Sequence, residues 1–478
     1  MMFPRFVLRA RIVPLFFLGL NLPVSLAHGQ TSGTSSYPIK LSSSGSYLLD
    51  QDNRPFFING DTAWSLIVQL SPTDADTYLS DRAQKGYNLI LVNLIEHKFA
   101  TNAPANLAGQ PPFTTPGNFN TPNEAYFDHV DWVIKKAAEK GLVVLLAPLY
   151  LGSYCGSEGW CAEVIASSLA SIRRYGRYLG NRYKNFPNII WLVGGDTDPV
   201  ADGVASRVRE FVAGVQEFDT THFFTAHNRN EQAAMDVWTS EPWLNINNIY
   251  TYNDAYPMAL RQFNRRGAKP FFLLETYYEN EHSSTPLSLR RQAYWTVLSG
   301  GVVGHVFGNC PIWHFNAPSG SSFCAGATWQ SQLSSAGATT LAYLGWLFAS
   351  RAFCELVPDQ GHSVLTAGFQ SGTNYASAAR ASDGSSVIAY IPTRRTVTIA
   401  LSQIAGTSAR AWWFNPRTAV ATLINTYPTS GTTTFTPPDA NDWVLVLDNA
   451  SLNLPAPGTL RQPLVITKGV SQSSMPSA

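Results

Sequence analysis

Two acidic residues, Asp196 and Glu275, stand at the ends of short apolar segments that occupy residues 188–196 and 269–275. Apolar runs of this length are typical of strands covered on both faces in a parallel sheet, and the terminal charge then lies at the carboxyl edge of that sheet. Pairs of carboxyl groups cut glycosidic bonds, because one donates a proton to the leaving oxygen and the other acts as nucleophile or base. The pair therefore indicates glycoside hydrolysis. The alternative is that both residues are helix caps or members of loop ion pairs.

Alternating strands and helices would position these carboxylates. The best-marked helix covers residues 72–85, with Ser71 as the N-cap, Pro72 at the first helical position and Gly86 after its end. The first predicted strand ends at residues 60–62. The other seven predicted strands cover residues 87–93, 142–147, 189–193, 223–226, 249–252, 271–274 and 303–307. Further predicted helices cover residues 125–140, 162–183 and 289–298. Eight such units over roughly 300 residues predict an α/β protein with a closed (β/α)8 TIM barrel, whose carboxyl edge collects catalytic side chains. No Gly-rich phosphate-binding motif follows a strand, which disfavours an open nucleotide-binding sheet.

The chain divides into five predicted segments. Residues 1–27 are predicted to form a signal peptide, since three arginines precede the apolar run 12–22 and small residues allow cleavage near Ala27. Residues 28–45 form a flexible lead-in, 46–350 the catalytic barrel, 351–448 a C-terminal antiparallel β-sandwich of short alternating strands, and 449–478 a loosely ordered tail. We therefore expect a secreted or periplasmic protein. An uncleaved membrane anchor is the alternative.

The composition restricts the partners. The formal net charge is +1 and charged residues are 14% of the chain, with no basic run to neutralise a phosphate backbone, which argues against nucleic acid. Aromatic residues make up 12% and include 13 Trp, and such side chains suit uncharged, hydroxyl-rich polymers. After the signal peptide no segment approaches the ~20 apolar residues of a membrane-spanning helix. A carbohydrate is the expected partner, and the sequence carries no signal for an oligomeric state.

The five cysteines fit an exported protein. Cys155 and Cys161 enclose a short loop, as do Cys310 and Cys324, so we expect each pair to form a disulfide that stabilises a loop at the barrel rim. Cys354 is left as a buried free thiol. Neither a CxxC pair nor an HExxH helix accompanies them, so we expect no metal site, and the chemistry needs no cofactor.

Several motifs match a known family. They are Gly60-Asp61-Thr62-Ala63-Trp64, Gly86-Tyr87-Asn88, Trp191-Leu192-Val193-Gly194-Gly195-Asp196, Leu274-Glu275 and Arg291-Gln292-Ala293-Tyr294-Trp295. Together they resemble the apiosidase-like glycoside hydrolases over residues 37–447. The C-terminal part, with Trp412-Trp413-Phe414-Asn415-Pro416-Arg417, resembles the module that usually follows this barrel. That module is commonly labelled collagen-binding, and no residue of this chain supports the label.

The resemblance implies a retaining mechanism in which Asp196, after the fourth strand, is the acid/base and Glu275, after the seventh, is the nucleophile. Related barrels commonly carry Asn-Glu at the fourth strand, where this chain has Gly195-Asp196. The shorter Asp must therefore lie closer to the leaving oxygen. The resemblance also implies apiose or another furanoside as the sugar.

Polar and aromatic residues at the other strand ends are candidates for sugar binding, because sugars need directional hydrogen bonds over a flat apolar surface. They are Asp61, Trp64, His97, Tyr150, His227, Asn228, Tyr250, Tyr252, Tyr277 and Trp313, with Glu96, Tyr278 and Asn309 as further candidates. We expect His227 to touch the nucleophile or the sugar. The alternative for each residue is an ordinary rim or core side chain. Asp198 and Glu279 lie near the two carboxylates in sequence, and we expect a capping role for the first and a loop position for the second.

These expectations combine into a secreted glycoside hydrolase that acts on plant or microbial polysaccharide. One alternative within the enzymes is an endo-acting hydrolase that cuts internal bonds. An alternative from another class is a non-catalytic carbohydrate-binding barrel that retains the binding groove but has lost catalytic activity.

Overall fold

The computed structural model describes residues 37–317, 324 and 327–459. The predicted signal peptide and residues 28–36 of the predicted lead-in lie outside this range. The described part of the lead-in does not match the prediction of flexibility, because it contributes a strand to a small antiparallel sheet. That sheet consists of β1 (Lys40–Leu41), β2 (Leu48–Leu49) and β3 (Pro55–Phe56).

Eight parallel strands follow in one sheet, which confirms the predicted barrel. They are β4 (Ile58–Thr62), β5 (Leu89–Asn93), β6 (Val143–Ala147), β7 (Ile189–Thr197), β8 (Phe223–Asn228), β9 (Asn247–Tyr250), β10 (Phe271–Glu275) and β11 (Gly304–Phe307). The strand order is β8-β7-β6-β5-β4-β11-β10-β9. Between the two end strands, Asn248 Nδ2 donates to Thr225 Oγ1 at 2.8 Å and to the Ala226 carbonyl at 2.7 Å. These side-chain bonds bring β8 and β9 together and nearly close the barrel.

Helices surround the strands. They are α1 (Leu66–Gln69), α2 (Pro72–Lys85), α3 (Glu124–Glu139), α4 (Cys161–Ala166), α5 (Leu169–Tyr183), α6 (Ala205–Gln216), α7 (Ala234–Trp238), α8 (Ala255–Phe263), α9 (Pro286–Leu298), α10 (Cys310–Trp313), α11 (Trp329–Gln332) and α12 (Ala336–Ala349). The prediction for α2 is confirmed at both ends, since Ser71 accepts from the Asp74 amide and Gly86 is left-handed with φ 87°. The single helix predicted over 162–183 is wrong, because Ser168 caps a second helix with its side chain and interrupts the first. Among the described residues, no helix has the length and apolar character needed to cross a bilayer.

Side-chain alternation divides the barrel into an inner and an outer layer. Ile58, Leu145, Leu192 and Phe272 belong to the inner cluster, which the small N-terminal sheet closes at one end through Leu48. Trp64, Tyr150, Tyr278 and Trp313 cover the same cluster at the carboxyl end of the strands. Residues between the inward positions pack against the helices instead. The aromatic end of the inner cluster is therefore the place where a site can open.

The C-terminal module is an antiparallel sandwich, as predicted. Its strands are β12 (Leu356–Pro358), β13 (Leu365–Ala367), β14 (Ser377–Ala381), β15 (Ser386–Ile391), β16 (Val397–Ala400), β17 (Ser408–Phe414), β18 (Ala421–Pro428), β19 (Thr432–Phe435) and β20 (Trp443–Asn449). One sheet has the order β12-β14-β15-β20-β17-β18 and the other β13-β16-β19. The six-stranded sheet presents Ile388, Tyr390 and Val446 to the cluster that also contains Trp295 of α9 and Leu344 of α12. The module and the barrel therefore share one hydrophobic core.

Two buried ion pairs add to this junction. Arg290 of α9 donates to both carboxylate oxygens of Asp442 at 2.7 and 2.8 Å, and Arg351 binds Asp448 in the same way at 2.9 and 2.8 Å. Arg351 also donates to the Pro455 carbonyl at 2.9 Å. The prediction of a loosely ordered tail is therefore wrong for residues 449–459, which pack on the junction, while residues 460–478 lie outside the described range.

Candidate active site

The end of β7 carries Asp196 on an irregular backbone. Gly194, Gly195 and Asp196 all have positive φ, at 91°, 130° and 53°, and the pairing of β7 with β8 shifts register between Gly194 and Thr197. A Cβ on Gly195 would lie 2.5 Å from the Tyr150 ring and 3.0 Å from the Leu151 amide nitrogen, so only glycine fits there. Such irregularities are found beside active sites, where they redirect a side chain. The Gly-Gly-Asp sequence thus sets the direction of the Asp196 carboxyl.

A second irregularity precedes Glu275 on β10. Phe272 and Leu274 belong to the inner cluster, so strict alternation would turn Glu275 outward to the helices. The register of β10 against β9 shifts between Leu273 and Glu275, and the Glu275 side chain instead meets His227 of β8. The bulge therefore brings this carboxylate into the barrel mouth.

His227 lies directly against Glu275 in the barrel mouth. Its Nε2 lies 3.0 Å from Glu275 Oε2, and both side chains are buried. The imidazole stacks against Trp64 at a centroid distance of 5.7 Å and packs against Tyr250 at 5.3 Å. Burial opposes protonation of the ring, but contact with Glu275 and the charges of Glu275 and Asp196 raise the pKa of His227 overall. A protonated His227 would therefore stabilise an ionised Glu275.

The surroundings of Asp196 differ from those of Glu275. The Tyr150 hydroxyl donates to Asp196 Oδ2 at 3.2 Å, and a further hydrogen bond from Tyr250 stabilises the ionised form. Burial opposes these effects and raises the pKa of Asp196. Burial raises the pKa of Glu275 too, and the negative charge of Asp196 raises it further, whereas His227 lowers it. Two carboxyls coupled in this way favour holding one proton between them.

This arrangement favours different protonation states for the two groups. His227 lowers the pKa of Glu275 through direct contact and through its charge, whereas it acts on Asp196 through its charge alone. A proton donor and a carboxylate nucleophile are the two groups that a retaining glycosidase requires. The assignment of acid/base and nucleophile stays a prediction.

Aromatic side chains form the walls of the site. Trp64 Nε1 donates to the Tyr278 hydroxyl at 3.0 Å, and the hydroxyls of Tyr250 and Tyr252 are 2.9 Å apart. Tyr252 also packs against Tyr277 at a centroid distance of 5.1 Å. Six of the predicted sugar-binding residues, Trp64, Tyr150, His227, Tyr250, Tyr252 and Tyr277, therefore lie in one connected group around the carboxylates.

Trp313 lies at the same end of the barrel, where its Nε1 donates to Glu281 Oε1 at 2.9 Å. No sequence pattern pointed to Glu281. Burial raises the pKa of both Glu275 and Tyr252, and the charge of Glu281 raises them further. His97 is further along the rim, with Nε2 3.0 Å from Glu163 of α4 and its ring against Trp160. Contact of Trp313 and His97 with sugar stays a prediction.

Two predicted sugar-binding residues point away from the site. Asp61 is fully buried, pairs with Arg82 of α2 and accepts from the Tyr78 hydroxyl at 2.7 Å. Asn228 donates to the Ala233 carbonyl and accepts from Trp238 Nε1 at 3.2 Å. Both side chains occupy outward positions of their strands and bind the helix layer. The prediction of a substrate contact is therefore wrong for Asp61 and Asn228.

The two neighbouring acids have structural partners. Asp198 accepts from the backbone amides of Val200 and Ala201 at 3.2 and 3.1 Å, and these bonds contribute to a lowered pKa. Glu279 accepts from Asn309 Nδ2 at 3.0 Å and from the Gly337 amide at 2.7 Å, at the start of α12. The capping role predicted for Asp198 is confirmed. The side chain of Asn309, a further sugar-binding candidate, is hydrogen-bonded to Glu279.

Glu96 is a buried carboxyl that the proposed chemistry does not use. It is 1% exposed and accepts from the Ala100 amide, and burial raises its pKa to about 7. The folded protein therefore binds a proton more tightly than the unfolded chain does, and stability falls as pH rises from about 4.5 to 7. Because Glu96 is buried in this way, we interpret it as a residue of the core and not as a sugar ligand.

Glu96→Gln is expected to raise the free energy of unfolding by about 3 kcal/mol at pH 8, because glutamine carries no charge to bury. At pH 4 the wild-type carboxyl is protonated, so the two proteins should differ little. Urea titrations at the two pH values measure the difference. An equal effect at pH 4 and pH 8 would contradict the buried-charge explanation.

Both predicted disulfides are present, Cys155–Cys161 with Cα atoms 5.2 Å apart and Cys310–Cys324 with Cα atoms 5.5 Å apart. Cys354 is free, as predicted, although it is only partly buried. The first disulfide loop carries Glu158, whose charge raises the pKa of Asp196. No prediction included Glu158, and its place between two paired cysteines is the only cue that the sequence offers.

One group of potential metal-ligand atoms occurs among the described residues, formed by Cys310, His314 and Cys324. The two sulfurs of this group are joined in the disulfide, so neither can bind a metal as a thiolate. The imidazole of His314 is then the single ligand left in the group, which is too few for a metal site.

Comparison with known proteins agrees with this geometry. The family described as "Apiosidase-like, catalytic domain" matches residues 42–355, and "Putative collagen-binding domain of a collagenase" matches residues 357–448. A comparison with curated proteins finds no match. A solved chain named "Glycoside hydrolase" is 26% identical with a TM-score of 0.78, over 87% of this chain and 97% of the other.

A glycoside hydrolase family 5 structure from Bacteroides vulgatus supports the fold alone, at 24% identity and a TM-score of 0.78. It covers 89% of this chain and 95% of the other. The catalytic-domain match spans more than half of the chain and includes both carboxylates and the strands that carry them. The chain therefore belongs to the apiosidase-like family of glycoside hydrolases.

Proposed function

We propose that Asp196 and Glu275 cleave a glycosidic bond in plant or microbial polysaccharide by a retaining mechanism. In the first step the Asp196 carboxyl gives its proton to the glycosidic oxygen while the bond from that oxygen to the anomeric carbon breaks. A Glu275 oxygen forms a new bond to the same carbon, which leaves a glycosyl ester. In the second step Asp196 takes a proton from water, and the water oxygen displaces Glu275.

The observation that carries this proposal is the convergence of both carboxylates on one buried region around His227. Glu275 contacts the imidazole directly, and Tyr150 and Tyr250 hydrogen-bond to Asp196. The imidazole favours an ionised Glu275 in the first step. The two tyrosine hydroxyls stabilise the Asp196 carboxylate that remains after proton transfer.

The sugar is proposed to be apiose or another furanoside, by likeness to the family. The connected group of Trp64, Tyr150, Tyr250 and Tyr252 offers ring faces and hydroxyls, which bind an uncharged sugar. Export through the N-terminal segment would bring the enzyme to such a polymer, and that segment lies outside the described residues.

A panel of 4-nitrophenyl furanosides and pyranosides tests the proposal. We expect release of nitrophenol from at least one furanoside, at a higher kcat/KM than from the matching pyranoside. Binding of these compounds without release would instead identify a non-catalytic carbohydrate-binding barrel. Product sizes from a polymer digest separate exo action from the alternative of an endo-acting hydrolase.

A further inference from the structure

A cavity of about 850 Å³ lies between the barrel and the C-terminal module. One wall is the segment after β9 with the start of α8, a second is the start of α9, and Thr373 of the module belongs to the third. The volume falls within the range of about 300 to 1,000 Å³ that is usual for small-molecule sites. Neither Asp196 nor Glu275 lines this cavity, so it is not the catalytic centre itself.

The cavity adjoins the catalytic group at two tyrosines. Tyr252 and Tyr277 line it and pack against each other at a centroid distance of 5.1 Å. The Tyr252 hydroxyl is 2.9 Å from that of Tyr250, which hydrogen-bonds to Asp196. Tyr252 and Tyr250 therefore link the cavity to Asp196.

Three of the four charged side chains that line the cavity have a hydrogen-bond or ion-pair partner within the protein. Glu231 accepts from Thr251 Oγ1 at 2.7 Å and from the Tyr252 amide at 2.9 Å, and Arg261 pairs with Asp236 at 2.9 Å. Asp254 and Arg291 both line the cavity, and burial raises the pKa of the Asp254 carboxyl although the charge of Arg291 opposes this. These charges balance. Thr251, Ser288 and Gln292 are uncharged and hydrogen-bond within the protein. With the Asn253 side chain and the rings of Tyr252 and Tyr277, they give the cavity a mainly uncharged lining that suits a neutral, hydroxyl-rich ligand.

The wall from the C-terminal module is held firmly against the barrel. Arg291 Nη1 donates to the Thr373 carbonyl at 3.1 Å, and Trp295 Nε1 donates to the Tyr375 carbonyl at 2.8 Å. The Tyr375 ring stacks on Tyr256 of α8 at a centroid distance of 4.1 Å. This wall is therefore formed before any ligand arrives.

We propose that this cavity binds neutral sugar residues of the polysaccharide beyond the bond that is cleaved, so that the C-terminal module forms part of the substrate site. This inference rests on the proposed hydrolase function. It predicts that longer neutral oligosaccharides bind more tightly than short ones, because only the longer ones reach the cavity.

Filling the cavity tests this directly. Thr373→Trp places a large ring in it from the module and keeps the backbone carbonyl that Arg291 uses, and Thr373 is exposed. Pro257→Trp fills it from the exposed side of α8 and serves as a second variant should the first fail to fold. Thr422→Trp is the matched control, since Thr422 is exposed on β18 and does not line the cavity.

Binding is measured in a Glu275→Gln background, with fluorescently labelled arabinan, galactan and xylan oligosaccharides of two and five residues as probes. We expect at least one five-residue probe to bind tenfold or more tightly than its two-residue counterpart. Thr373→Trp and Pro257→Trp should remove that gain, and Thr422→Trp should keep it. Hydrolysis of the probes by Glu275→Gln would count against the proposed catalytic role, independently of the binding comparison.

Three outcomes would overturn the inference. One is the absence of a length-dependent gain in all three series, and another is a gain that survives both cavity-filling substitutions. The third is a gain seen only with galacturonic acid oligosaccharides, tested in parallel, which would identify an acidic ligand in place of a neutral one.

Discussion

Glu275→Gln is expected to lower kcat by about a thousandfold or more, equivalent to about 4 kcal/mol of activation free energy. The amide keeps the shape of the side chain but is too weak a nucleophile to attack the anomeric carbon. Initial-rate kinetics on the best substrate of the nitrophenyl panel measures the loss. Residual activity within tenfold of the wild type would remove Glu275 from the mechanism.

Glu279→Gln is the matched control for this substitution. Glu279 is also a buried glutamate, four residues further on, but its carboxylate binds Asn309 and the start of α12. We therefore expect Glu279→Gln to lower the thermal stability and to leave kcat of the folded protein within a few-fold of the wild type. Equal losses of kcat in the two variants would indicate a general structural effect.

Asp196→Ala is expected to lower kcat/KM by about 10² to 10⁴-fold on natural linkages, which is the usual contribution of a general acid. Substrates with good leaving groups need little protonation, so nitrophenyl glycosides should lose much less in the first step. The comparison of kcat/KM on an oligosaccharide and on a nitrophenyl glycoside measures this selectivity.

Asp198→Asn provides the control for Asp196→Ala, because Asp198 caps the adjacent turn through backbone amides. Asparagine retains an oxygen that can accept those hydrogen bonds, so the activity on both substrate types should change little. Equal losses on oligosaccharide and nitrophenyl substrate in Asp196→Ala would transfer the acid role to another residue.

Local signals account for the parts of the fold that the sequence predicted well. The helix α2 has an N-cap serine, a proline at its first position and a glycine after its end, and all three act within one turn of the backbone. The break between α4 and α5 was missed, because Ser167 and Ser168 lie inside an otherwise helical pattern. Serine is tolerated within a helix and favoured at a cap, so neighbouring structure decides between the two.

The direction of a side chain at a strand end was harder to predict than its position. His227 and Asn228 are adjacent on β8, so alternation sends the first into the barrel mouth and the second to the helices. Asp61, the last residue but one of β4, has an outward position in the same way. Residue type favours sugar binding for His227, Asn228 and Asp61 alike. Only the register of the strands shows that the first points inward and the other two outward.

Glu275 shows the opposite case, where alternation alone would have given the wrong direction. The register shift after Leu273 turns the carboxylate inward, and no residue in the strand sequence Phe-Phe-Leu-Leu-Glu indicates that shift. On β7, Gly194 and Gly195 are a visible cue for an irregular backbone. The pairing of Arg290 with Asp442 is beyond sequence prediction, because it joins residues that are 152 positions apart.

Trapping the glycosyl ester tests the central proposal most directly. In Asp196→Ala the second step lacks its base, so a substrate with a good leaving group should load the nucleophile faster than water releases it. Rapid acid quenching, proteolysis and mass spectrometry then locate the sugar. We predict a peptide that contains Glu275 with the mass of one glycosyl residue on that side chain. A glycosyl group on another residue, or turnover with inverted configuration and no adduct, would contradict the proposal.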